Sequence, residues 1–151
     1  MFDRFQFLFS SVFDSKPTPP VPFGFKNGWI AVRSTDTKAV AESLSTRSQR
    51  PANWRDGIDA AYRGGDSIFI GPPVSGWVCV VGEWSAGTGN RRSVESIMKT
   101  VADLSSPFGE AHGYASHRVI EYHHWIRAEK GRVLRCFAYH DRIGASISPR
   151  S

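Results

Sequence analysis

The sequence predicts an α+β domain in which an antiparallel sheet carries its helices on one face. Three observations lead there. Apolar, β-rich runs are interspersed with segments of helical periodicity. The run G-W-I-A-V at 28–32 returns as G-W-V-C-V at 76–80, and each copy leads into a helical segment with a related ending, A-E-S-L-S and A-D-L-S. At 151 residues, 40% hydrophobic and 22% charged, the chain has the size and composition of one globular domain.

The first segment, MFDRFQFLFSSVF, sets Phe2, Phe5, Phe9 and Phe13 at helical spacing, which predicts a short amphipathic helix. Asp3 and Gln6 interrupt it, and it is too short to span a bilayer. Four prolines within 16–22 make the next stretch a stiff connector, so residues 1–22 read as an amphipathic helix and connector ahead of a single domain over 23–143, with a flexible tail at 144–151. The domain opens with a buried strand at 29–32. S-T-D-T then supplies capping oxygens for a helix running to about Arg47, and Asn53 opens a second, with Trp54, Ile58, Ala61 and Tyr62 along one side.

D-S-I-F-I-G and G-W-V-C-V-V-G predict two strands joined through Pro72 and Pro73. A loop over 85–92 precedes a helix capped by Ser93, stopped at Ser106-Pro107, with Val94, Ile97, Val101 and Leu104 on its apolar face. The remainder reads as a short strand at 111–114, a long one at 118–127, a tight turn at E-K-G-R and a last strand at 133–140. Two strand-helix-strand units of this kind make a ferredoxin-like β-α-β-β-α-β sheet, here extended by a C-terminal hairpin.

The net charge is +5, with a pI near 9.6 that arises mostly from arginine, and this favours an acidic partner. Cys79 and Cys136 each sit in an apolar run, where a thiol behaves as a small hydrophobe, so a reducing, cytoplasmic setting is expected. Were their strands neighbours, the two thiols would lie close enough to oxidise.

The densest group of reactive side chains is E-A-H-G-Y-A-S-H-R-V-I-E-Y-H-H-W. On one continuous strand, His117, Glu121 and His123 would share a face and suggest half a metal site. At about 3.3 Å per residue, however, they would span roughly 20 Å. Glu121 with His123 or His124 offers a general acid-base pair, with an ordinary same-face contact as its simpler explanation. No cofactor is expected: G-T-G-N-R-R at 87–92 lacks both the dinucleotide fingerprint and the P-loop lysine. Trp125, Arg127, Arg135, Phe137 and Tyr139 share one parity, an arrangement on which single-stranded nucleic acid stacks.

F-G-F-K-N-G-W-I-A-V, I-G-P-P-V-S-G-W-V-C-V-V-G and L-S-S-P-F-G-E, with H-R-V-I-E-Y-H-H-W-I-R-A, resemble a group of small bacterial proteins of the style found as immunity or accessory proteins beside secreted toxins. The resemblance covers most of residues 23–139 and implies a protein that neutralises a toxin by binding it rather than an enzyme. An acidic nucleic-acid mimic does not suit a +5 chain, so a toxin with an acidic rim is the better match. Trp54, Arg55, Trp84, Arg91 and Arg92, which lie in or beside loops, are the candidate contacts, Trp and Arg being the types that dominate binding hot spots.

Overall fold

The computed structural model describes residues 16–22, 24, 26–63, 67–82 and 91–139, with the backbone alone at 91 and 92. The predicted N-terminal helix, the loop before the long helix and the C-terminal tail lie outside the described residues. Within them the order is β1 (Lys26–Val32), α1 (Thr37–Ser43), α2 (Trp54–Tyr62), β2 (Ile68–Ile70), β3 (Val78–Gly82), α3 (Arg91–Phe108), β4 (Glu110–His117), β5 (Tyr122–Glu129) and β6 (Arg132–Tyr139). The six strands form one antiparallel sheet in the order β2-β3-β1-β4-β5-β6.

Local chemistry explains the boundaries. Asp36 caps α1 by accepting from the Ala39 N–H, and Asn53 caps α2 by accepting from the Asp56 N–H. α3 ends one residue past Pro107, where Gly109 takes φ +86, and Ser93 lies inside this helix rather than capping it. In the E-K-G-R turn both Lys130 and Gly131 have positive φ, the backbone that a two-residue hairpin requires. The Ser105 hydroxyl donates to the Ala102 carbonyl and accepts from the Gly131 N–H, fastening that turn to α3.

The main core lies between the sheet and α1 and α3, with Ile30, Val32, Val80, Val101, Leu104 and Ile126 at its centre. Beneath α3 the sheet residues are small, Ala111, Gly113, Ala115, Ala128 and Ala138 among them, so the helix approaches closely. A β-carbon on Gly113 would stand 2.8 Å from Val101 Cγ2.

Two expectations are corrected. The helices do not all lie on one face: α2 packs on the opposite side, where Trp54, Ile58 and Ala61 meet Phe69 and Val81 in a second, smaller core. Adjacent residues of β2 separate the two cores, Ile68 facing the first and Phe69 the second. A β-carbon on Gly57 would lie 2.0 Å from the Phe69 ring, so only glycine lets α2 sit this close. Nor is 118–127 one strand. Residues 118–121 turn, Glu121 adopts φ 44, and His117 pairs directly with Tyr122.

Cys79 faces the second core and Cys136 the first, with β1, β4 and β5 between their strands. Both thiols are free, and burial pushes Cys79 up to about 12 and Cys136 up to about 11.

Candidate functional site

Because α2 covers only the β2 end of the second face, the outward residues of β4, β5 and β6 remain uncovered among the described residues. Strand pleating assigns these residues. Tyr122, His124, Ile126 and Ala128 point into the core, whereas His123, Trp125 and Arg127 point out. On β6 the exposed residues Arg135, Phe137 and Tyr139 stand opposite Arg127, Trp125 and His123. The five residues of the predicted aromatic and basic face therefore do share one side. They do so because of a bulge opposite Arg127 and Ala128: the inserted Leu134 shifts the register by one and turns Arg135, Phe137 and Tyr139 outward.

Backbone register aligns the aromatic rings. Trp29 pairs with Tyr114, Tyr114 with Trp125, and Trp125 with Phe137, so four aromatics cross four strands in one row. Trp29 and Tyr114 stack at 5.2 Å with 20° between planes. The row becomes more exposed toward β6: Trp125 is 40% exposed, Phe137 47%, and Tyr139 in the neighbouring row 39%.

Beside this row lies a polar chain that the sequence reading missed. Glu110, His112 and Tyr114 occupy alternate positions of β4 and so share the outward face. Glu110 Oε1 lies 2.8 Å from His112 Nε2, and His112 Nδ1 lies 3.1 Å from the Tyr114 hydroxyl. An ionised carboxylate only accepts, so Nε2 carries a proton and donates; in the neutral ring Nδ1 then accepts from the phenol. Arg33 Nε, at 3.1 Å, and Arg127 Nε, at 3.4 Å, also reach Glu110, and Arg127 pairs with Glu129 as well. The bond from His112, followed by the arginines, holds the Glu110 carboxyl below the usual carboxylate range, although partial burial opposes this. Trp77 stands edge-on to His112 at 5.4 Å, and the Arg33 guanidinium lies 4.9 Å from the centre of the Trp77 ring.

A carboxylate, an imidazole and a hydroxyl in sequence are the parts of a proton relay. Here the phenol ring is stacked against Trp29 and His112, and the carboxylate also answers two guanidinium groups. The network therefore fixes the tautomer and the rings, presenting a rigid surface of mixed charge.

The sequence-predicted residues fall elsewhere. Glu121 is exposed in the 118–121 turn, His123 points outward and His124 inward, so the two histidines lie on opposite faces of the sheet. His117 pairs with the core-facing Tyr122 whereas His123 pairs with Ser116 and points outward, and no group of three potential ligands gathers among the described residues. Trp54 is buried at 6% exposure and meets Phe69 edge-on at 5.2 Å; Arg55 beside it is exposed. Trp84 lies outside the described residues, and Arg91 and Arg92 open α3 with side chains outside them.

His124 is nonetheless informative. It is 3% exposed, and its Nδ1 lies 2.8 Å from the Tyr122 hydroxyl, which in the neutral ring donates to it. Burial lowers its pKa to about 4. Unfolded histidine titrates near 6.5, so the unfolded chain binds this proton first as pH falls. Stability is then complete above about pH 6.5 and falls by about 3 kcal/mol as the pH drops toward 4. Urea unfolding at pH 7.5 and 5.0 reads this loss, and in His124→Gln the decline over that window is expected to flatten.

No protein-family model, curated protein or solved structure matches the chain.

Proposed function

We propose that the chain is a binding protein that meets a protein partner through the open face of β4, β5 and β6, and that it serves as an immunity protein neutralising a bacterial toxin. One observation carries the binding reading: Trp125, Phe137 and Tyr139 lie exposed side by side with Arg127 and Arg135 on a sheet face that no other described residue covers. Large apolar groups contiguous at a surface are a liability unless a partner covers them, and Trp, Tyr and Arg are the residues on which interfaces concentrate their energy.

The sign pattern favours protein over nucleic acid. Glu110 and Glu129 stand among the arginines and already neutralise part of their charge, whereas a groove that tracks phosphates needs cations free to release counterions. Alternating charge around an aromatic centre suits a protein surface of complementary pattern. The immunity role rests on the sequence resemblance and takes place in the cytoplasm, with an acidic rim on the toxin meeting the chain's basic excess. The strand order β2-β3-β1-β4 supports reading the first four strands as a ferredoxin-like unit, with β5 and β6 enlarging the sheet into the binding face.

A second reading, single-stranded nucleic acid, is favoured by the aligned row Trp29, Tyr114, Trp125 and Phe137, because each ring can stack a base. One experiment separates the two. Tagged chain is used for capture from native lysate with and without nuclease, alongside Trp125→Ala/Phe137→Ala. A stoichiometric protein retained after nuclease and lost in the variant supports the proposal. A labelled oligonucleotide held at low salt and released as salt rises, with no retained protein, replaces it with the second reading.

A further inference from the structure

At the opposite edge of the sheet from β6, a groove of about 640 Å³ opens around β2, between α1 and the segment leading into α2. We propose that it binds a small amphiphilic organic anion, with the apolar body on Trp54, Phe69 and Ile70 and the charged end at Lys38 and Arg50. The site is separate from the open face, so it stands or falls independently of the partner.

Size and lining both point to a small ligand. The volume lies within the range of roughly 300–1,000 Å³ in which proteins hold small molecules. Its floor is apolar: Ala41 comes from α1, Trp54 from α2, and Phe69 and Ile70 from β2. Prolines at 17, 51 and 72 form walls whose backbone has little freedom to collapse inward. The Trp54 ring is held in place by the edge of Phe69 and by the bare α-carbon of Gly71, where a β-carbon would stand 2.8 Å from Trp54 Cη2.

Of the polar lining residues, Gln49 donates to the Thr46 hydroxyl and the Asn53 side-chain oxygen caps α2. The Thr37 hydroxyl already donates to the Gly71 carbonyl. Thr18 also lines the groove, and its hydroxyl oxygen is buried without a hydrogen-bond partner. Among the described residues, Lys38 and Arg50 are the charged ones that line the groove, and no carboxylate does. The nearest acid to Lys38, Glu42, is an exposed i,i+4 partner at 3.9 Å, a contact surrendered at little cost. Arg50 supplies a planar fork suited to a carboxylate. A greasy floor beneath two cations, with no anion among the described lining residues, is complementary to a medium-chain carboxylate.

Titration calorimetry of the full chain with octanoate, decanoate and decanol tests this. Saturable one-to-one binding is expected for both carboxylates, tightening several-fold per added methylene, with decanol at least tenfold weaker than decanoate. Lys38→Glu with Arg50→Glu, both exposed and remote from the core, is expected to weaken decanoate at least tenfold with an unchanged melting temperature. Ala52→Trp, which fills the groove from a loop, gives a second test and is expected to abolish saturable binding. Absence of saturable decanoate binding to the unaltered chain overturns the proposal, as does equal affinity for decanol or an undiminished affinity in the charge-reversed variant.

Discussion

Alanine at both Trp125 and Phe137 is expected to weaken the partner complex by at least about 100-fold while leaving the unfolding midpoint nearly unchanged. Hot-spot aromatics cost about 2 kcal/mol or more each when truncated, and every 1.4 kcal/mol is tenfold in affinity. Both rings stand over the open face rather than in either core, at 40% and 47% exposure, so little folding energy depends on them. Competition binding and urea unfolding, run on the same variant, separate the two effects. A large loss of stability with unchanged affinity would place these rings in a hidden core instead.

The neighbouring residue is expected to behave in the opposite way. Ile126 is fully buried on the other side of β5, in the main core shared with α3. Ile126→Ala is expected to cost about 3 kcal/mol, within the range for buried large-to-small changes, because the closely packed α3 leaves little room for collapse. Partner affinity measured well below the new midpoint should remain within about threefold of the original. Positions 125 and 126 thus give a direct reading of which face holds the fold and which meets the partner.

Most of the element order was legible in the sequence because the helices announce themselves by caps and period. Asp36 and Asn53 sit where a side-chain oxygen satisfies a free helical N–H, and the apolar stripe of α3 is unbroken. The shared odd numbering of residues 125–139 was legible, although the Lys130-Gly131 turn by itself pairs odd positions with even ones and only the extra residue Leu134 at the bulge brings them to one face. The turn at 118–121 was not. R-V-I-E carries no glycine, proline or asparagine, and Glu121 itself adopts the positive φ, so an apolar pattern ran straight through a reversal.

Amphipathicity told which side of α2 is buried but not which face of the sheet it covers. That choice depends on Phe69 and on the bare Gly57, which are distant in sequence. It also decides the fate of Trp54, which beside a loop looked like a contact residue and instead fills a core. The outward chain on β4 was partly legible, since E-x-H-x-Y on a strand places all three side chains on one face. Its charge partners were not: Arg33 meets Glu110 across 77 positions, and only the sheet brings β1 beside β4.

The central claim, that the open face of β4, β5 and β6 is the binding surface, is tested most directly by site-specific cross-linking. A photo-reactive phenylalanine analogue is placed at Phe137 in one sample and at Arg55, exposed on α2, in another. A cross-link to the partner at position 137 and none at 55 is the predicted result; the reverse pattern, with an unmodified open face, contradicts it.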